Sequence, residues 1–352
     1  MTNEHLPSQR TNPRIILHVT ECYEGGVGRA IRNIVRILPN ATHLLLARGS
    51  GIPADAHLFH DVTNLPANPV QAFKAVQTVT RKLSPHVVHA HSSWAGFYTR
   101  LLPLPFPVVY EPHCYAFEDV TRQPSSRAMF WLAECLASYR TASVLTLSPR
   151  EHRLAKHLNS RTPVHSVPNV PTLPIVASPT HTDKLIDHSV YMIGRAAPQK
   201  DPLFFVHVVQ EMRRLLDNVE YVWIGDGDPK QIELLKRHDI RVTGWLDQGQ
   251  MTKELSRAGA YIHSAAYEGF PLSVLDAASQ GVPIIARDIP CFEGTPVVRH
   301  HSPIDLAHKA VDVLTDLEER KFVIARGYEL LNHMNESNQA KALERAYAEC
   351  GS

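Results

Sequence analysis

Residues 267–283 read Tyr267-Glu268-Gly269-Phe270-Pro271-Leu272-Ser273-Val274-Leu275-Asp276-Ala277-Ala278-Ser279-Gln280-Gly281-Val282-Pro283. Their local grammar is that of a helix delivered into a strand. Pro271 suits the first helical position, where its missing N–H would be unpaired anyway, and Gly281 suits the residue just past the last turn. Val282-Pro283 stops the helix and opens an apolar run. The same passage recurs along the chain: short Val/Ile/Leu-rich runs alternate with longer stretches of helical period, the pattern of parallel strands joined by crossover helices. Strands are expected at 15–19, 43–47, 87–90, 108–110, 144–147 and 165–167, then at 189–193, 220–224, 240–243, 260–263 and 283–286. In the second series helices are expected near 202–217, 229–237, 250–258, 271–280 and 303–316. The fold class is therefore α/β, with two doubly wound, Rossmann-like domains and a ligand cleft at the carboxyl ends of their strands.

A length of 352 residues also favours two domains, because single cores stop growing near about 250–300 residues. Four prolines between 168 and 188 interrupt any period and mark a linker. The expected organisation is a loose tail (1–13), a first Rossmann-like domain (14–170), the linker (171–188), a second Rossmann-like domain (189–335) and a C-terminal segment (336–352) whose helix returns to the first domain.

Composition excludes several classes. Apolar residues make up 44% and charged residues 20%, which is ordinary for a globular protein and unlike a disordered or fibrous one. The five cysteines are odd in number, scattered, and never in a Cys-x-x-Cys pair, so neither a disulfide framework nor a thiolate zinc site is indicated. A reducing, cytoplasmic setting is expected, with no apolar run long enough for a membrane span. The net charge of +1 conceals an asymmetry: residues 1–170 hold 17 Lys/Arg against 10 Asp/Glu, and the remainder 19 against 25.

Three motifs carry chemistry. After the first strand, Gly25, Gly26 and Gly28 make a turn that opens a helix, presenting backbone N–H groups and the positive helix end to an anion such as phosphate. A nicotinamide fingerprint would also need an acid at the end of the second strand. Leu46-Ala47-Arg48 stands there instead. After strand 189–193, Gly194-Arg195 and Lys200 place two cations at the cleft edge, where a guanidinium fork and an ammonium can stabilise charge on a departing diphosphate. In the third motif, Glu268 precedes a helix start and Asp276 lies inside the helix. Carboxylates accept hydrogen bonds from neighbouring hydroxyls, so one could hold the donor sugar and the other the ribose.

These motifs, with the Trp-Ile-Gly-Asp-Gly stretch at 223–227, occur in the order seen in glycosyltransferase family 4, and the chain resembles that family of GT-B enzymes from about residue 14 to 350. The family's Glu-x7-Glu motif falls on Glu268 and on position 276, which here is Asp. By this resemblance Arg195 and Lys200 are diphosphate-binding cations, Phe270, Pro271 and Leu272 form the phosphate-facing backbone, Gly25 and Gly26 are the glycine loop, and His113 lies near the donor sugar. Asn169 matches a family turn and is read as structural. The resemblance implies a retaining transferase with no metal and no cofactor besides a nucleoside diphosphate sugar, of UDP or GDP type. His89 and His91 alternate at a strand end as metal ligands could, but no third ligand is visible in the sequence.

A nucleotide-sugar epimerase on the same fold, a non-catalytic sugar-nucleotide-binding protein and a nicotinamide oxidoreductase are the rival readings. The expected acceptor is a glycan or a lipid-linked glycan of cell-surface assembly, with a small soluble acceptor as the alternative. Between Arg122 and Arg161 seven Lys/Arg face only Glu134 and Glu151, with Phe130 and Trp131 among them, which reads either as a peripheral seat on an anionic membrane surface or as a solvated helix face over a buried aromatic patch. No motif for nucleic acid is present.

Overall fold

The structure, a computed structural model, describes residues 13–49, 52–176 and 188–350. Nearly all of the expected tail and most of the expected linker lie outside the described residues. Two all-parallel sheets organise the rest. The first has the order β3-β2-β1-β4-β5-β6-β7, built from β1 (Ile15–Thr20), β2 (Thr42–Ala47), β3 (Asp61–Asn64), β4 (Val87–His91), β5 (Val108–Glu111), β6 (Ser143–Thr146) and β7 (Val164–Ser166). The second has the order β10-β9-β8-β11-β12-β13, from β8 (Ser189–Ile193), β9 (Glu220–Ile224), β10 (Arg241–Val242), β11 (Ala260–His263), β12 (Ile284–Arg287) and β13 (Val298–His300). Each order reverses direction beside its first strand, which opens a crevice at the carboxyl ends.

The strands expected from apolar runs are present. The edge strands β3 and β13 were not expected, for a physical reason: neither is fully buried, so neither needs an apolar run. Pro271 is also displaced by one position. It caps the helix Leu272–Ser279 from outside, with φ −76° and ψ 124°, and is not its first residue.

Burial follows the sheets. Trp223, Phe205, Tyr191 and Tyr261 are enclosed in the second core, while Leu17, Val88 and Tyr110 sit in the first. Within the first domain Arg100 donates to Glu134 at 2.8 Å, Tyr110 donates to the other carboxylate oxygen at 2.8 Å, and the guanidinium lies 3.5 Å over the Tyr110 ring. This paired charge turns the Glu134 side of the helix Pro124–Ser138 inward. Gly96 makes room for it, since a Cβ there would come within 2.6 Å of both Arg100 and Tyr110. The C-terminal helix Glu336–Glu349 packs Leu343, Ala346 and Tyr347 against Ile16, Val87, Val109 and Leu145 of the first domain.

Candidate active site

A cleft of about 500 Å³ runs between the two sheets. Its walls bring together ten of the eleven residues singled out in the sequence: Gly25, Gly26, His113, Gly194, Arg195, Lys200, Glu268, Phe270, Pro271 and Leu272.

Two helix starts point into it. The helices Gly25–Ile37 and Leu272–Ser279 both begin without a side-chain cap, as do Ser93–Arg100 and Pro124–Ser138, whereas Asp201, Asp228, Asp247, Ser302, Asp316 and Asn335 cap helices elsewhere. Uncapped first-turn N–H groups keep their donors for an anion. Gly25 takes φ +62°, in the left-handed region, and a Cβ on Gly28 would stand 2.5 Å from the Tyr23 carbonyl oxygen. The turn therefore needs glycine at both places.

On the opposite wall, β8 ends at Ile193 and the chain crosses Gly194 and Arg195 before Lys200. The 223–227 stretch packs directly on this loop: a Cβ at Gly225 would lie 2.2 Å from the Gly194 carbonyl oxygen and one at Gly227 2.4 Å from that of Ala196. Those glycines let two backbone segments touch, and the Trp223 indole donates to the Gly194 carbonyl at 2.9 Å. Arg195 is exposed and makes no hydrogen bond or ion pair among the described residues. Lys200 differs, because its ammonium is paired with Glu268, which also accepts from Gln199 at 3.3 Å.

His113 follows β5 in a strained turn, with φ +51°, and Cys114 follows at +85°. Glu151 holds this turn by accepting from the Cys114 N–H at 2.7 Å and the Leu147 N–H at 2.8 Å. Gly269 presses against it from the other domain: a Cβ there would meet the Cys114 nitrogen at 2.8 Å. Burial keeps the His113 ring below the ordinary imidazole range, despite the neighbouring Glu111 carboxylate.

Asp276 departs from expectation. It is 1% exposed and does not line the cleft. Its carboxylate accepts from Arg29 Nη1 at 2.8 Å, from the Thr172 N–H at 2.6 Å, from the Thr172 hydroxyl at 2.9 Å and from the Leu173 N–H at 3.3 Å. The shorter aspartate arm stops at the domain junction, where these donors saturate it. Asn169, expected to be structural, donates to the Phe270 carbonyl at 2.9 Å across the same junction and also lines the cleft.

The sequence reading missed Arg29, Glu24, Gln199 and Trp245, all of which line the cleft. Trp245 is 57% exposed, flanked by Leu246 and Met251. Its only signal was an aromatic residue following Gly244 just beyond a strand end.

Two family models match the chain. Residues 25–170 match the glycosyl transferase 4-like domain and residues 187–316 the glycosyl transferases group 1. The chain is 26% identical over 227 residues to the Escherichia coli UDP-Gal:alpha-D-GlcNAc-diphosphoundecaprenol alpha-1,3-galactosyltransferase, spanning 58% of this chain and 58% of that protein. Among solved structures, the sucrose-phosphate synthase of Thermosynechococcus elongatus superposes with TM-score 0.80 at 15% identity, over 96% of this chain and 98% of that one. Anabaena HepE in complex with UDP and glucose superposes with TM-score 0.76 at 13% identity, over 95% and 99%.

Proposed function

This chain belongs to the glycosyltransferases of family 4 type with the GT-B fold, and we propose that it is a retaining enzyme using a nucleoside diphosphate sugar, of UDP or GDP type. The acceptor we propose is a glycan or lipid-linked glycan of cell-surface assembly. One observation carries the reading: Arg195, Lys200, Glu268 and His113 share a single cleft with two uncapped helix starts.

The donor diphosphate lies between the helix starts, with the N–H groups of the first turns on its oxygens. Pro271 donates nothing there, so its role is to set the chain direction into Leu272. Arg195 and Lys200 neutralise the leaving group, which makes a metal on the phosphates unnecessary for departure. Lys200 exchanges its Glu268 partner for phosphate when donor enters, and this frees Glu268 to accept from sugar hydroxyls. Trp245 offers a flat apolar face to the base. Cleavage then passes through an oxocarbenium-like state, with the departing phosphate taking the acceptor proton on the same face, which retains the anomeric configuration. HepE, whose solved complex contains UDP and glucose, supports the donor class, and the undecaprenol-linked substrate in the name of the E. coli relative supports the acceptor class.

The test is a binding panel of UDP, GDP, ADP, TDP and CMP read by thermal shift, since a ligand that binds only the native state raises its apparent stability. One nucleoside diphosphate is expected to stabilise the wild type and not Arg195→Ala. NMR of the product from an α-linked donor should show an α-linkage; a β product would reject retention. Product formed from donor without acceptor would favour the epimerase.

A further inference from the structure

At the back of the cleft wall, β1, β2, β4, β5 and the loop after β5 gather five histidines and one glutamate: His18, His43, His89, His91 and Glu111 are buried, and His113 reaches the cleft. Two are the alternating pair His89 and His91, for which the sequence offered no third ligand. The third and fourth come from the neighbouring strand and its loop. Glu111 Oε2 lies 3.3 Å from His89 Nε2, 3.4 Å from His91 Nδ1 and 3.7 Å from His113 Nε2, and the last two nitrogens are 3.1 Å apart. Ligands about 2.0–2.1 Å from a tetrahedral ion stand about 3.3 Å from one another, close to the spacing of His91, Glu111 and His113, which form one convergent group.

The hydrogen bonds around the cluster orient its lone pairs. His43 Nε2 lies 3.0 Å from the Leu38 carbonyl, which only accepts, so that nitrogen carries the proton. Each N···N contact holds one proton. His43 Nδ1 therefore accepts from His18 Nε2 at 3.0 Å, and His18 Nδ1 accepts from His91 Nε2 at 3.0 Å. The proton of His91 is thereby placed on Nε2; its Nδ1 lone pair faces Glu111 and accepts the proton of His113 Nε2 at 3.1 Å, a proton that a bound ion displaces. On the other side His89 Nδ1 lies 2.8 Å from the Tyr347 hydroxyl of the C-terminal helix, an outer partner that leaves Nε2 for the cluster. A ligand histidine characteristically donates its second ring nitrogen to such an outer shell. At the centre, His89 Nε2 and Glu111 Oε2 are both buried and lie 3.3 Å apart as an ion-pair contact without hydrogen-bond geometry, a weakly satisfied arrangement for two buried polar atoms.

We propose that Glu111, His89, His91 and His113 form a binding site for a divalent transition metal of the zinc class, seated behind the cleft wall. Three imidazoles and one carboxylate are borderline donors that suit Zn²⁺ or Co²⁺ better than Mg²⁺ or Ca²⁺. The ion neutralises the enclosed carboxylate and fixes the His113 ring from behind. It is separate from the diphosphate, which Arg195 and Lys200 serve. His91, Glu111 and His113 stand close enough for one ion to hold all three, and His89 reaches the set through its 3.3 Å approach to Glu111.

The test uses the untagged full chain, stripped with chelator and titrated with Zn²⁺ and with Co²⁺. One equivalent of zinc per chain is expected by elemental analysis after desalting, together with the intense visible d–d band of tetrahedral Co²⁺. Glu111→Gln, which keeps shape and removes charge, and His113→Gln, at the cleft rim, should both lose the band. His207→Gln, on the exposed surface, should keep it. Circular dichroism establishes that each variant is folded. A wild type without stoichiometric metal, or a band that survives in both Glu111→Gln and His113→Gln, would overturn the assignment. Neither readout involves a nucleotide, so its failure is distinct from failure of the donor reading.

Discussion

Arg29 Nη1 donates to Asp276 Oδ2 at 2.8 Å, tying the first helix of one domain to the helix that borders the cleft in the other. Asp276 also accepts from Thr172 and Leu173, where the chain leaves the first domain. The residue expected to bind ribose thus acts as an interdomain tie.

Removing it should be felt first in stability. Hydrogen bonds to a charged group contribute about 1.5–3 kcal/mol each, and truncation strands several buried donors at once. Asp276→Ala should lower the unfolding free energy by at least that amount in a denaturant titration, and Arg29→Ala by less, because Thr172 and Leu173 still serve the carboxylate. A ribose role predicts a different result, namely weakened nucleotide binding at unchanged stability.

The two cleft cations should separate by their partners. Arg195 has none among the described residues, so Arg195→Ala should leave the melting temperature unchanged while lowering kcat by about 10²–10³, the cost of removing one preorganised stabiliser of developing charge. Lys200→Ala should lower kcat similarly and also lower the melting temperature, because Glu268 loses its ion pair. Transfer assays and thermal melts on both variants check this, and wild-type turnover in either would reject the diphosphate assignment.

Trp245 should affect binding more than chemistry. Stacking of a base on an aromatic ring contributes about 1–3 kcal/mol, so Trp245→Ala should weaken the nucleoside diphosphate by roughly 5- to 150-fold by calorimetry. An unchanged Kd would place the base elsewhere.

The membrane reading also changes its residues. Phe130 is buried against Phe97 and Trp94, and several of the cations are occupied: Arg150 pairs with Glu118 at 3.0 Å, Arg153 with Glu293 of the other domain, and Lys156 donates to the Thr162 carbonyl at 3.1 Å. What stands exposed is an apolar stripe, Met129, Leu132, Leu136 and Tyr139, at helical spacing opposite Glu134, with Trp131 beside it. A Met129/Leu132/Leu136 triple serine variant should lose co-sedimentation with anionic liposomes, whereas Arg150→Ala should retain most of it. Binding that is abolished by salt and indifferent to the serine variant would return the role to charge.

Much of the molecule was legible in one dimension because its signals are local. Apolar runs located the buried strands, and Gly25, Gly194 and Gly281 marked turns whose backbone demands are set within a few residues. Glu268, Arg195 and Lys200 were found because short loops carry them straight off strand ends. The fate of Asp276 was not legible, since its partners are 103, 104 and 247 positions away and belong to the other domain or to the segment leaving it. The same holds for His18, His43, His89, His91, Glu111 and His113. In sequence they lie on four strands or the loop after one without a common motif, and although His89, His91 and His113 drew notice separately, only the parallel order of β2, β1, β4 and β5 brings the six side chains within reach of one another. Periodicity and turn chemistry determine what each segment becomes. Which side chains then meet is decided by strand order and domain docking, because contacts across a sheet or a cleft depend on tertiary register and leave no mark on the residues beside them in the chain.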